Sequence, residues 1–198
     1  MPNYHRAFVA GASWFFTVNL FDRRSRLLVD HIDALREAVR ETRRRFPFEI
    51  DAMVVLPDHL HAVWTLPDGD CDFPVRWRLI KIRFSKSVPG GEPLTTTRRV
   101  RGERGIWQRR YWEHMIRDER DFRRHIDYCW FNPVKHGLVT DVEEWPFSSF
   151  HRDNRDNPRP ADLARFEQSL AEYARPGRSS GYGERRESPK HCANRRAQ

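Results

Sequence analysis

Two apolar runs, Phe48 to Leu56 and His59 to Leu66, are separated only by Pro57-Asp58. Each is short and rich in β-branched and aromatic residues, and so reads as a strand. A link this short leaves no room for a crossover, so the two pair as an antiparallel hairpin around which the other elements must be arranged. Upstream, Trp14 to Phe21 is another strand-like run, aromatic enough to be central. After the Asp22-Arg23-Arg24-Ser25 turn, Ile32, Leu35 and Val39 recur at helical spacing. They predict a helix from about Asp30 to Arg45, closed by Pro47.

Downstream, a second helix is expected from Pro74 to about Val88, with Val75, Leu79, Ile82 and Phe84 or Ser85 around it. Arg76, Arg78, Lys81, Arg83 and Lys86 take other positions. The stretch Pro89 to Gly105 is rich in glycine, threonine and arginine and reads as a mobile basic loop. Ile106 to Arg117 predicts a fourth strand. Asp118 to about Phe131 predicts a third helix, with Phe122, Ile126 and Cys129 or Trp130 inward. Two β-α-β-like halves around a hairpin give an α+β expectation: a ferredoxin-like or RRM-like antiparallel sheet with helices packed on one face. No internal repeat is visible.

At 198 residues the chain fits one ordinary domain plus a tail. Hydrophobic residues at 38% and aromatics at 13% exclude wholesale disorder. From about Pro176 periodicity vanishes, so a disordered basic tail is expected there. The net charge is +8, and four lysines against thirty-two arginines carry it. Arginine offers a permanent planar fork suited to phosphates and bases, which points to a nucleic-acid partner. Cys71, Cys129 and Cys192 are scattered and odd in number, so neither a disulfide framework nor a zinc knuckle is expected, in keeping with a reducing cytoplasm. No apolar run approaches the roughly 18 residues of a membrane span, and no signal peptide is expected.

The chemistry concentrates in two places. In Pro57-Asp58-His59-Leu60-His61-Ala62-Val63-Trp64, the histidines are i and i+2 on a strand and share a face, a half-site for a divalent cation. The plain alternative is a pair of hydrogen-bonded histidines. In Asp127-Tyr128-Cys129-Trp130-Phe131-Asn132-Pro133, Tyr128 and Asn132 are i and i+4 on one helical stripe. They offer a nucleophile and a hard ligand, or else a packed tyrosine and a capping asparagine. Pro133 sets the expected helix end near Asn132. His125, three residues before Tyr128, reads as a ligand, a base or a phosphate contact.

Together these motifs resemble the single-tyrosine HUH transposases and, more narrowly, the REP-associated tyrosine transposases. The resemblance spans Met1-Pro2-Asn3-Tyr4 to His151 and includes Trp14 to Val18, Val54 to His61 and Arg78-Leu79-Ile80-Lys81. It continues through Gly105 to His114, Asn132 to Val139 and Trp145 to Phe150. It implies a transposase domain over 1–153, leaving a helical extension over 154–175 and the tail over 176–198. His59 and His61 would be metal ligands, Asn132 the third ligand and Tyr128 the nucleophile. Asp58 stands where the family often has asparagine, and Cys129 where it has an aliphatic residue. The implied activity is cleavage and rejoining of single-stranded DNA at imperfect REP-type hairpins through a 5′-phosphotyrosine, with Mg²⁺ or Mn²⁺ as cofactor. A cytoplasmic, nucleoid-associated monomer or homodimer without membrane contact is expected.

Arg76, Arg78, Lys81, Arg83, the loop Arg98 to Arg104, and Arg109-Arg110 are the candidate backbone contacts, with Trp107, Tyr111 or Trp112 as stacking aromatics. The competing reading is a non-catalytic RRM-like single-strand binder, which would need none of His59, His61, Tyr128 and Asn132 together. A relaxase or replication initiator fits less well with so short a chain and one nucleophile-like tyrosine.

Overall fold

The computed structural model describes residues 8–89 and 104–156. Its elements are β1 (Ser13–Asn19), α1 (Leu27–Asp30), α2 (Ile32–Arg45), β2 (Glu49–Val55), β3 (His59–Thr65) and α3 (Phe73–Ser87). After these come β4 (Trp112–Met115), α4 (Glu119–Lys135), a 3-10 turn (Val142–Glu144) and α5 (Phe150–Asp156). The expected helical extension and basic tail lie outside the described residues, apart from the end of α5. So does most of the basic loop.

The strand order β2-β3-β1-β4, antiparallel throughout, is that of the split β-α-β-β-α-β fold. The hairpin forms β2 and β3, and β1 pairs with β3 in a register that sets Thr17 opposite His61 and Asn19 opposite His59. Helices α2 and α3 pack on one sheet face, where Phe16, Val18, Leu60, Ala62 and Trp64 meet Leu35, Phe73, Trp77, Ile80 and Phe84. Trp64 stacks on Trp77 at 4.1 Å between ring centres. The late helix α4 covers the opposite face, where Phe15, Ala52, Val54 and Val63 meet Ile126, Cys129, Trp130 and Phe131. Covered on both faces, β3 is buried from His59 to Trp64, so its sequence lacks the alternation of a half-exposed strand.

Three boundaries differ from expectation. The fourth strand is confined to Trp112–Met115, with a single bridge from Leu20 to Trp107 ahead of it. Helix α4 runs through Pro133 to Lys135. Its end is set by Gly137 at φ +65°, where the Leu138 and Gly137 amides donate to the Pro133 and Val134 carbonyls at 3.0 and 2.9 Å, a Schellman closure. Finally, the segment after the 3-10 turn lies along the free edge of β2. The Val55 amide donates to Phe147, Ser149 to Met53, and the Trp145 indole to the Val55 carbonyl. Covering this edge removes a template for wrong pairing.

Of the cysteines, Cys129 is a buried free thiol in the α4 core.

Two residues expected at a nucleic-acid surface are instead structural. Arg76 is 1% exposed. Its guanidinium meets both Asp70 carboxylate oxygens at 3.1 and 2.7 Å and the Pro47 and Asp72 carbonyls at 2.7 and 3.1 Å. Burial alone would raise the Asp70 carboxyl, but hydrogen bonds from Arg76 and the Asp72 amide hold it below its ordinary value. The Lys81 ammonium donates to the Gln108 carbonyl at 3.0 Å and lies 5.2 Å from the Tyr111 ring centre. Burial pulls its pKa down to about 8. Arg104 serves the fold too, donating to the Val88 carbonyl at 2.9 Å and to Ser85 at the end of α3. Arg78, Arg109 and Arg110 remain exposed, and Arg83 is half-buried beside Thr42. Helix α3, and with it Arg78 and Arg83, packs on the sheet face away from the imidazoles.

Removing Arg76 strands a carboxylate and two carbonyls, so Arg76→Ala should cost about 3 to 5 kcal/mol of stability. Arg78→Ala should stay within about 0.5 kcal/mol. Urea midpoints check both, and equal shifts would contradict the structural role given to Arg76.

Candidate active site

His59 and His61 project from one face of β3, their ring centres 5.0 Å apart and nearly perpendicular. Each is fixed through Nδ1. The His61 Nδ1 lies 2.9 Å from the Thr17 hydroxyl across the β1–β3 ladder, and the His59 Nδ1 lies 2.7 Å from an Asp58 carboxylate oxygen. With Nδ1 engaged in this way, Nε2 is the ring atom left to act as a ligand, the arrangement that orients metal-binding histidines. The second Asp58 oxygen pairs with Arg23 Nε at 2.8 Å, and Arg23 also donates to Asn19. The Asp58 charge is thus spent on His59 and Arg23.

Helix α4 brings the second half of the site. The Tyr128 ring centre is 5.0 Å from that of His61, at 76°. One turn later Asn132 is completely buried. Among the described residues neither its amide oxygen nor its amide nitrogen has a hydrogen-bond partner, and neither has the buried Nε2 of His61. Orphaned polar atoms of this kind are costly unless something binds them. Two neutral imidazole nitrogens and a carboxamide oxygen suit a divalent cation of intermediate hardness, so the residues present fit such an ion. Burial pushes the His59 and His61 imidazoles below their ordinary pKa, His61 well below it, and neighbouring cationic groups add to the effect at His61. Both therefore stay neutral, the form a ligand needs.

The structure also brings together residues to which the sequence reading gave no role. The Lys135 ammonium is 4.8 Å from the Tyr128 ring centre, and the His136 ring is 5.2 Å from that of His59. Both stand at the C-terminal end of α4, where Lys135 is the last helical residue and His136 the cap. Thr17 carried no signal in the sequence, since only the strand register reveals its partner.

His125 joins a different group. Its Nδ1 donates at 2.8 Å to the Asp121 backbone oxygen, and its ring stacks on His114 at 4.8 Å. His114 Nε2 meets the Asp121 carboxylate at 2.9 Å, and Arg117 meets the same oxygen at 3.0 Å. This network ties β4 to the first turn of α4. Phe15 stands between it and the first site, with ring centres 4.6 Å from His125 and 5.5 Å from His61.

No family model matches the chain. A REP-associated tyrosine transposase of Escherichia coli K12 is 48% identical over 164 residues, which is 83% of this chain and 92% of the relative. A Haemophilus influenzae protein assigned to the same group is 43% identical over 163 residues, covering 82% and 93%. Among solved structures, that of a REP-associated tyrosine transposase bound to a REP hairpin superposes with a TM-score of 0.70 at 48% identity, over 82% of this chain and 90% of that one. With identity of this level along nearly the whole length of its relatives, the chain belongs to the REP-associated tyrosine transposases.

Proposed function

We propose that the protein cleaves and rejoins single-stranded DNA at REP-type hairpins, with Tyr128 as nucleophile and with His59, His61 and Asn132 holding Mg²⁺ or Mn²⁺. The observation that carries this reading is the orphaned Asn132 amide and His61 Nε2, buried on the face that receives the Tyr128 ring. The hairpin substrate is carried over from the similar transposase whose structure holds a REP hairpin.

A phosphodiester is a poor electrophile, and the bound cation would supply charge neutralisation at its non-bridging oxygens. The chain's own residues do the rest. Thr17 and Asp58 hold the imidazoles in the ligating orientation. Lys135 puts positive charge beside Tyr128, where an anionic phosphate must approach. Attack by the phenol oxygen forms the tyrosine–phosphorus bond as the bond to the 3′ oxygen breaks, and the phenol proton is exchanged for one taken up by that oxygen. The products are a 5′-phosphotyrosine and a free 3′-hydroxyl. Because the ester is conserved, the hydroxyl can reverse the step without ATP. One tyrosine per chain allows one cleavage at a time, so strand exchange requires a second subunit or a second round, on DNA of the nucleoid.

Incubating the protein with a labelled REP hairpin carrying single-stranded flanks, with Mn²⁺ or Mg²⁺, should give an adduct that survives denaturation. Tyr128→Phe and chelation should each abolish it, while Thr17→Val should slow it about ten- to a hundredfold by releasing His61. Hairpin binding without an adduct under either cation would instead identify a non-catalytic binder. The depressed imidazole pKa values give a second expectation. Neutral rings persist to lower pH, so Mn²⁺ affinity measured by calorimetry should stay level between about pH 7.5 and 6.5. A marked fall already under way within that interval would mean ordinary exposed histidines, whose usual pKa is about 6.5.

A further inference from the structure

We propose that Trp112 is a stacking platform for an unpaired base next to the reacting phosphate, an inference that rests on the single-strand reading above. Of the seven tryptophans only Trp112 is exposed, at 46%. The other two candidate aromatics face the wrong core. Trp107 packs on Phe84 at 5.3 Å, and Tyr111 packs against Phe16 and Trp77 at 6.0 and 6.1 Å, all on the α2–α3 side.

Trp112 belongs to the catalytic face. It is paired with Thr17 across the β1–β4 ladder, and Thr17 is paired with His61 across the next. Side chains in one cross-strand row share a face, so the indole stands two strand spacings, about 10 Å, from His61. That interval is within the reach of a nucleotide adjoining a phosphate held between His61 and Tyr128. The indole is also held in place. It lies parallel to the His114 ring, 4° apart in plane and 5.8 Å between centres, and edge-on to Phe15 at 5.6 Å. His114 is in turn held by Asp121 at 2.9 Å. A pre-oriented aromatic loses little entropy on receiving a base.

The location favours a nucleic-acid strand as occupant. β4 is an edge strand; α4 packs mainly on β2 and β3 and reaches β4 through Asp121 and His125, which hold His114, while Trp112 at the start of β4 stays exposed. Arg109 and Arg110 are exposed at the entrance to β4, where a strand lying on the indole would carry its phosphates. Stacking needs only a π-face, so this platform adds affinity with little base preference.

The test is a coupling measurement on the full chain. A labelled REP hairpin with single-stranded flanks is prepared with one abasic nucleotide at successive flank positions, and each is titrated against wild type, Trp112→Ala and Trp112→Phe. For the intact flank, Trp112→Ala should weaken binding about tenfold and Trp112→Phe by less. At one flank position the abasic change should weaken wild-type binding similarly yet leave Trp112→Ala unaffected. Losses that add at every position, or a Trp112→Ala affinity equal to wild type, would overturn the platform. Circular dichroism and melting temperatures close to wild type show that the variants fold; if Trp112→Ala does not fold, Trp112→Phe and Trp112→Leu carry the same comparison. Adduct formation by wild type is scored in parallel. Adduct with additive losses defeats only the platform, whereas binding and coupling without adduct defeats the catalytic reading and leaves the platform standing. No binding by wild type defeats both.

Discussion

The site depends on the register between β1 and β3. Side chains alternate with a period of two, so a slip of one residue would turn His59 and His61 into the Trp64–Trp77 core and present Leu60 in their place. Several contacts oppose that slip. Leu60, Ala62 and Trp64 are fully buried against the helices on the other face, and a slip would empty that core of them. Polar pins fix the ladder as well. Ser13 and Thr65 share a hydrogen bond at 2.7 Å, Thr65 donates to Asp51 at 2.8 Å, and Thr17 meets His61 at 2.9 Å. The last of these does two jobs: it locks the register and sets the orientation of an imidazole. Fold and site are therefore held by one contact.

Helix α4 is similarly divided between packing and chemistry. Ile126, Cys129 and Trp130 anchor it to the sheet, while Tyr128 sets its ring against His61 on β3 and Asn132 is buried one turn later. Burial pushes the Cys129 thiol up, so it is an inert apolar filler. At one end the Asp118 side chain caps the helix by accepting from the Asp121 amide at 2.8 Å. At the other, Gly137 closes it. Pro133 withholds one helical hydrogen bond, yet only a turn from the end, where the loss is small and the helix keeps its course past Asn132.

Much of this was legible in the sequence because it depends on local signals. The two-residue break at Pro57-Asp58 announced the hairpin, and i, i+2 and i, i+4 spacing announced which side chains would share a face. What was hidden depends on pairing between distant segments. Thr17 looks like any strand threonine until β1 is set against β3. The end of α4 departs from the proline rule because the glycine closure at Gly137, four residues later, sets it. Arg76 and Lys81 look like their exposed neighbour Arg78 until α3 is docked, since a buried cation differs from a solvated one only in having Asp70 or Gln108 opposite it.

The arginine excess shows the same limit. Arg36, Arg40 and Arg44 on α2 pair with Asp33, Glu37 and Glu41 along the helix, Arg76 is buried, and Arg104 caps α3. Surface pairs of this kind contribute little to stability, and they also subtract from the charge available to a polyanion. Net charge therefore measures attraction at long range and says little about where a strand lies. The local arrangement decides that. Helix α4 packs mainly over β2 and β3, and Arg109, Arg110 and Trp112 stay exposed at the start of β4, so the proposed path of a strand toward His61 and Tyr128 runs past them. Basic residues on α3 face away from that path, however many there are, and contribute only to the overall field.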